Sequence, residues 1–324
     1  MGKIRIGILG YGNLGKGVET ALSKVSDMEL VGVFTRRDPE NLETIQPAFS
    51  IEDLPSKKDE IDVLILCGSS DTDIPEQGPK YAAQFTTVDA FDTHAKIPEY
   101  FQVMDEKAKS NQHVSVISTG WDPGLFSLQR VLADAILPDG DTYTFWGPGI
   151  SQGHGAAVRK VEGVKDGVQY TNPYPDQLEA ARSGESIDYS SKTAHYREVY
   201  AVLEDDADAL IVEEAIITMP NYFEGYETNV HFISQEELDE KHSGLPHGGS
   251  VIRQGRTSEE NQSVYEFGLD LDSNPEFTAA VNVAYARAAY ALNQEGKAGA
   301  YTVLDIPPRY LSHRSSEDLR KDFI

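Results

Sequence analysis

Residues 4–15 read IRIGILGYGNLG, a short apolar run that turns directly into a glycine-spaced bend. Ile4, Ile6, Ile8 and Leu9 are too few to make a helix face and predict a β-strand. Gly10, Gly12 and Gly15 follow as G-x-G-x-x-G. In such a bend the first glycine permits a tight turn, the second lets backbone approach a pyrophosphate, and the third lets a helix pack closely on the strand. Val18, Leu22 and Val25 fall at helical spacing, and the free N–H groups at the start of that helix would face phosphate oxygens. Met28 to Phe34 predicts a second strand. A glycine fingerprint alone is weak evidence, but one set between a strand and a helix, with a further strand beyond, predicts a dinucleotide-binding unit.

The end of the second strand selects the dinucleotide. An NAD-type site carries an Asp or Glu there for the ribose 2′-hydroxyl. Here the strand runs into Thr35-Arg36-Arg37. Two guanidiniums can hold a 2′-phosphate bidentately and Thr35 adds a hydroxyl, so NADP is the expected cofactor. A solvated arginine pair on a surface turn is the alternative. Ile61 to Leu66, apolar but for Asp62, is expected to be a strand buried on both faces of a parallel sheet. It ends in Cys67-Gly68-Ser69-Ser70, small residues that would let a cofactor lie close. Asp71-Thr72-Asp73 with Pro75 predicts a capped helix start.

Two further strands end in carboxylates: Thr86 to Phe91 leads to Asp92, and Val114 to Ser118 leads to Thr119-Gly120-Trp121-Asp122-Pro123. Ligands of open α/β sheets bind at the carboxyl ends of the strands, so Asp92 and Asp122 would converge on the cofactor's crevice. Asp122 also reads as a helix N-cap, with Pro123 in the first turn and Leu125, Leu128, Val131, Leu132 and Ile136 along the following face.

Among 324 residues, Lys and Arg number 28 against 53 Asp and Glu, a formal net charge of −25. That charge repels nucleic acid and anionic membrane surfaces, and neither is expected as a partner. A single cysteine, Cys67, excludes an intrachain disulfide and a multi-cysteine metal site. No H-x-x-x-H or H-E-x-x-H spacing occurs, so no metal site is expected. No apolar run approaches the roughly 20 residues that span a bilayer, and the expectation is a cytoplasmic protein.

The fold class expected is α/β, an N-terminal Rossmann-type parallel sheet over 1–119 with a second, mixed α+β domain over 120–270 that carries the substrate. Residues 271–324 return to a helical pattern and would pack back on the first domain. Gly147 to Gly155 holds four glycines beside Trp146, Gln152 and His154. It reads as a lid closing on substrate, with a plain connection as the alternative.

Longer stretches are more specific than the fingerprint: GYGNLG from Gly10, FTRR from Phe34, TDIPEQGP from Thr72, STGWDPGLFS from Ser118, TFWGPGISQGHG from Thr144, TMPNYF from Thr218, GLPHGG from Gly244 and SNPEFTA from Ser273. In these the chain resembles the meso-diaminopimelate D-dehydrogenases over essentially its whole length. The resemblance implies NADP, a homodimer built through the second domain, and reversible oxidative deamination of meso-2,6-diaminopimelate at its D-centre to L-2-amino-6-oxopimelate and ammonia. It further implies cofactor contacts at Tyr11, Gly12, Asn13 and Leu14, at Thr35, Arg36 and Arg37, at Cys67, Gly68, Ser69 and Ser70, and at Ala90, Phe91, Thr119 and Gly120, beside Trp121 and Pro123. Substrate contacts would be Asp92, Asp122, Trp146, Gln152, Gly153, Thr171, Arg197, His247 and Asn274. Arg197 suits a bidentate carboxylate clamp, while Asp92 and Asp122 suit the ammonium side and the chemistry. The alternatives are another two-domain NADP oxidoreductase of amino-acid biosynthesis, or a non-catalytic NADP-sensing protein.

Overall fold

The structure, a computed structural model, describes residues 2–324. Its strands and helices begin with β1 (Ile4–Leu9), α1 (Asn13–Leu22), β2 (Met28–Thr35), β3 (Ala48–Ser50), β4 (Val63–Leu66), α2 (Ile74–Ala82), β5 (Thr87–Asp89), α3 (Ile97–Ser110), β6 (Val114–Val116) and α4 (Leu125–Ile136). There follow β7 (Gly140–Trp146), β8 (Gly149–Ile150), α5 (Gln152–Val158), β9 (Val164–Pro173), α6 (Pro175–Ser183), α7 (Ser191–Ala194), β10 (His195–Leu203), α8 (Ala209–Ile217), β11 (Thr228–Phe232), α9 (Gln235–Lys241), β12 (His247–Arg256) and β13 (Gln262–Leu271). The chain closes with α10 (Asn274–Gln294), β14 (Gly299–Tyr301) and α11 (Ser316–Phe323). Two compact units divide it, Met1–Leu128 with Pro275–Ile324, and Gln129–Asn274.

In the first unit one sheet has the order β3-β2-β1-β4-β5-β6-β14, with every neighbouring pair parallel. The order reverses at β1 and β4, which makes their carboxyl ends the switch point where such sheets bind ligands. Alternation along the strands explains the burial on both faces. Ile6, Ile8, Val63 and Ile65 face one core with Val18 and Leu22 of α1 and Val281, Tyr285 and Ala288 of α10. Leu9, Leu64 and Leu66 face another with Ile74 and Tyr81 of α2 and Tyr100 and Met104 of α3. Gly17 lets α1 and α10 approach: a Cβ there would stand 2.9 Å from that of Ala279. The second unit holds an antiparallel sheet β13-β12-β7 and a mixed sheet β11-β10-β9-β8.

Two local expectations are corrected. Helix α4 starts at Leu125, whose N–H donates to the Gly120 carbonyl at 3.0 Å while that of Phe126 donates to Trp121 at 2.7 Å. Asp122 therefore lies in the preceding turn, two residues before the N-cap position. Asp73 stands at the N-cap position of α2, yet its carboxylate makes no capping bond. The Gly147–Gly155 segment, expected as a lid, forms β8 and the start of α5. Two of its glycines answer to packing: a Cβ at Gly147 would meet the Thr171 carbonyl oxygen at 1.9 Å, and one at Gly149 would meet His247 at 2.5 Å. Only at Gly153, of these four, would it meet nothing within 4 Å. Among the described residues, no helix is long and apolar enough to cross a membrane.

Arg287 ties α10 to the loop before β2 and to the C-terminal tail. Its Nε and Nη2 donate to Asp27 at 2.6 and 2.9 Å, and Nη1 donates to the Leu311 carbonyl at 2.6 Å. The guanidinium bond holds the Asp27 carboxyl below its ordinary range. A depressed acid stabilises the fold above its unfolded pKa, and that contribution is lost as pH falls through the folded value. Arg287→Met is therefore expected to lower unfolding free energy by about 2 kcal/mol near neutral pH. Denaturant titrations at several pH values check this, and the difference from the unsubstituted chain should shrink below about pH 4.

Candidate active site

The carboxyl ends of β1, β2 and β4 carry the residues expected at a dinucleotide. Gly10 has φ +95°, and a Cβ there would press on the Cys67 carbonyl at 3.2 Å, so the loops after β1 and β4 abut through backbone. At Gly15 a Cβ would stand 2.2 Å from the Gly10 carbonyl oxygen, whereas at Gly12 it would meet nothing within 4 Å. Gly12 caps α1 without a side-chain bond, leaving N–H groups of its first turn available to an anion. Open space at Gly12, uncapped donors and the exposed Arg36 and Arg37 together fit a phosphorylated dinucleotide.

Several side chains of this set are already engaged within the protein. The Tyr11 hydroxyl donates to Glu19 at 2.5 Å, and burial with that bond pushes the phenol up to about 12. Arg37 Nη2 donates to the Tyr11 carbonyl oxygen, and its N–H to Thr35 Oγ1 at 3.1 Å. Arg36 pairs with Asp73 at 2.7 Å. Burial pushes the Cys67 thiol far up, so it is inert and only its backbone can serve a ligand. Asn13 opens α1, and Leu14 packs partly buried against the core.

A buried carboxylate organises the tips of β5 and β6. Asp89, fully inaccessible, accepts the N–H of Phe91 at 3.0 Å, the N–H of Ser118 at 3.1 Å and the Tyr100 hydroxyl at 2.8 Å. Burial pushes its carboxyl up while these donors pull it down. The Asp89 carbonyl in turn accepts the Thr119 N–H at 2.9 Å and its hydroxyl at 3.0 Å. Thr119 Oγ1 also bonds Asn282 of α10 at 2.5 Å, and Phe91 packs at a tilt of 34° on Tyr100 with ring centroids 4.3 Å apart. The segments carrying Ala90 to Asp92 and Gly120 to Pro123 thus spring from one fixed point. Asp92 is exposed, with its N–H donating to Ser70 Oγ at 3.2 Å, and Asp122 is half-buried next to the buried Trp121.

A second group assembles inside the other unit, where β7, β9, β10 and β12 adjoin. Arg197 pairs in register with Thr171, which pairs with Gly149, and Trp146 pairs with Gly249. The Arg197 guanidinium is buried, with Nη1 donating to Thr171 Oγ1 and the group lying 4.2 Å over the Tyr226 ring. Its Nε is buried without a hydrogen-bond partner. Thr171 Oγ1 also accepts from Gln169 Nε2 at 3.3 Å. With both lone pairs engaged, its hydrogen is left to donate. His195 Nε2 accepts the Trp146 N–H at 2.8 Å, and Nδ1 lies 2.9 Å from the Ser191 carbonyl, an arrangement suited to neutral imidazole. Burial lowers His195 to about 4 and His154 likewise to about 4, the nearby Arg197 adding to both. His247 Nδ1 accepts the Gly248 N–H at 2.8 Å, and the Asn274 N–H donates to Leu245 at 2.9 Å. Gln152 and Gly153 begin α5 and are exposed. No group of three or more His, Cys, Asp or Glu among the described residues could hold a metal ion.

The sequence reading missed Asp89, His195 and Tyr226. An aspartate inside the expected strand Thr86 to Phe91 was a usable signal for the first. Nothing in the sequence marks the other two.

A family model described as the diaminopimelic acid dehydrogenase C-terminal domain matches residues 120–273. The chain is 55% identical to a meso-diaminopimelate D-dehydrogenase of Ureibacillus thermosphaericus, with 100% of both sequences covered. Among solved structures it is similar to a C. glutamicum DAP dehydrogenase in complex with DAP, at 47% identity and a TM-score of 0.94, covering 100% of each. It is also similar to an engineered D-amino acid dehydrogenase bound to NADP+, at 46% identity and a TM-score of 0.89, covering 99% of this chain and 100% of that one. Coverage of this extent, at these identities, makes the chain a member of the meso-diaminopimelate D-dehydrogenase family.

Proposed function

We propose that the protein catalyses the NADP-dependent, reversible oxidative deamination of meso-2,6-diaminopimelate at its D-centre, giving L-2-amino-6-oxopimelate and ammonia. The observation that carries the reading is the buried Arg197 guanidinium with its unpartnered Nε beside the donor hydroxyl of Thr171. A buried cation in this setting calls for an anion, and a planar carboxylate matches it. We assign Arg197, Thr171, His247 and Asn274 to the distal amino-acid end of the substrate. Trp146, Gln152 and Gly153 are assigned to its chain.

Bound NADP+ supplies the hydride acceptor. Gly10 to Gly15, Ser69 and Ser70 would hold its phosphates and ribose, with Thr35, Arg36 and Arg37 on the 2′-phosphate. The chain's part in the chemistry is positioning and proton transfer. Asp92 and Asp122 would bind the reacting ammonium and take its proton, since only the neutral amine has the lone pair that forms the C=N bond as hydride leaves the α-carbon. Water then adds to the imine carbon and ammonia departs. A biosynthetic reaction of this kind, and a lone buried cysteine, suit the cytoplasm. We further propose a homodimer, supported by the exposed apolar residues Val131, Leu132 and Ile136 along α4; light scattering should give twice the chain mass, and a monomer would exclude it.

Appearance of NADPH absorbance on mixing protein, NADP+ and each isomer of diaminopimelate tests the reaction. The meso isomer should react with release of ammonia; equal rates with the LL isomer would overturn the assignment. Asp92→Ala and Asp122→Ala should each lower kcat/KM by about 100-fold, and losses below about tenfold in both would remove them from the chemistry. Arg197→Met should raise the substrate KM by about tenfold or more, and an unchanged KM would exclude the clamp.

A further inference from the structure

At the tip of β2 the sequence offers Thr35-Arg36-Arg37 and no carboxylate, but the fold brings one there from a different strand. Asp73, at the head of α2 beyond β4, places Oδ1 2.7 Å from Arg36 Nη2. The two partners are held unequally. Asp73 has a side chain only 15% exposed, and its Oδ2 accepts the Ser69 N–H at 3.0 Å. The Arg36 side chain is 66% exposed. The carboxylate is thus the fixed member and the guanidinium the one that comes to it. Asp73 makes no capping bond to its own helix, so helix capping does not account for its charge. Arg37 differs in that its guanidinium is directed to the Tyr11 carbonyl.

We infer that Asp73 is a specificity-determining residue for the cofactor, competing with the 2′-phosphate for Arg36. The inference rests on the assignment of Arg36 to that phosphate. A phosphate arriving at Arg36 must share the guanidinium with a fixed carboxylate of the same sign, and the repulsion falls on the phosphorylated ribose alone. A ribose with a free 2′-hydroxyl meets no such repulsion, and a carboxylate near that position is what NAD-type sites use. Asp73 therefore weakens discrimination in favour of NADP and keeps Arg36 gathered at the sheet tip.

Calorimetric titration with 2′,5′-ADP and with 5′-AMP tests this without turnover. Asp73→Asn retains an oxygen for the Ser69 N–H and removes the charge. It should tighten 2′,5′-ADP by about threefold to tenfold, leave 5′-AMP unchanged and widen the NADP to NAD ratio of kcat/KM through KM. Asp73→Ser serves the same purpose should the Asn variant melt early, and the same shift is expected of it. An unchanged or weakened affinity for 2′,5′-ADP in a variant that melts like the parent overturns the role of Asp73. If the parent itself binds 2′,5′-ADP no more tightly than 5′-AMP, the assignment of Arg36 fails and the inference with it. Arg36→Ala should reduce the preference for 2′,5′-ADP, and a preference equal to the parent's would likewise overturn the competition.

Discussion

The turn between β1 and α1 is closed so tightly that only hydrogen fits between the Gly15 Cα and the Gly10 carbonyl. That contact fixes where α1 begins, and with it the direction of the uncapped N–H groups at Gly12. It also presses the loop after β1 onto the backbone of Cys67, so that two strand tips meet without side chains between them. A methyl group at either glycine would push these loops apart and move the donors. The rest of the sheet's ligand-facing edge is laid out from this point, with Thr35 to Arg37 on one side and Ser69 to Asp92 on the other.

On that second side the organising element is a carboxyl group buried inside the protein. Asp89 gathers donors from Phe91, Ser118 and Tyr100, and its own carbonyl accepts from Thr119. Two strands of three residues each, β5 and β6, would otherwise end in loosely defined loops. A carboxyl group that accepts three hydrogen bonds in a dry interior converts those loops into a rigid base for Asp92 and for the Gly120 to Asp122 turn. In the other unit the equivalent work is divided. Neutral His195 anchors the backbone of Trp146, and the Tyr226 face supports the Arg197 guanidinium.

The parts of this architecture that were legible in the sequence are those governed by local rules. β1, β2 and β4 show as apolar runs because both faces of a parallel sheet are covered, and the glycine spacing and arginine pair announce themselves by residue type. What stayed hidden depends on neighbours distant in the chain. β12 is buried along nearly all its length yet carries Arg253 and Gln254, which donate to carbonyls of Leu137, Ala181 and Glu185. Its polar residues disguised a central strand. Tyr226 reaches Arg197 from a separate loop, and Asp73 reaches Arg36 from another helix. Asp122 falls short of the N-cap position because the chain continues through Gly124 before α4 forms, and steric closeness accounts for the glycines at 147 and 149.

Two imidazoles lie near the buried guanidinium of Arg197, and both are held without a proton until conditions become strongly acidic. Histidines in water gain charge as a cell acidifies, and a carboxylate-binding corner built on them would strengthen its grip accordingly. His154 and His195 add nothing of that kind. Their contribution to the local potential stays level across the mildly acidic range, so attraction for a dicarboxylic ligand does not drift with them when the surroundings do.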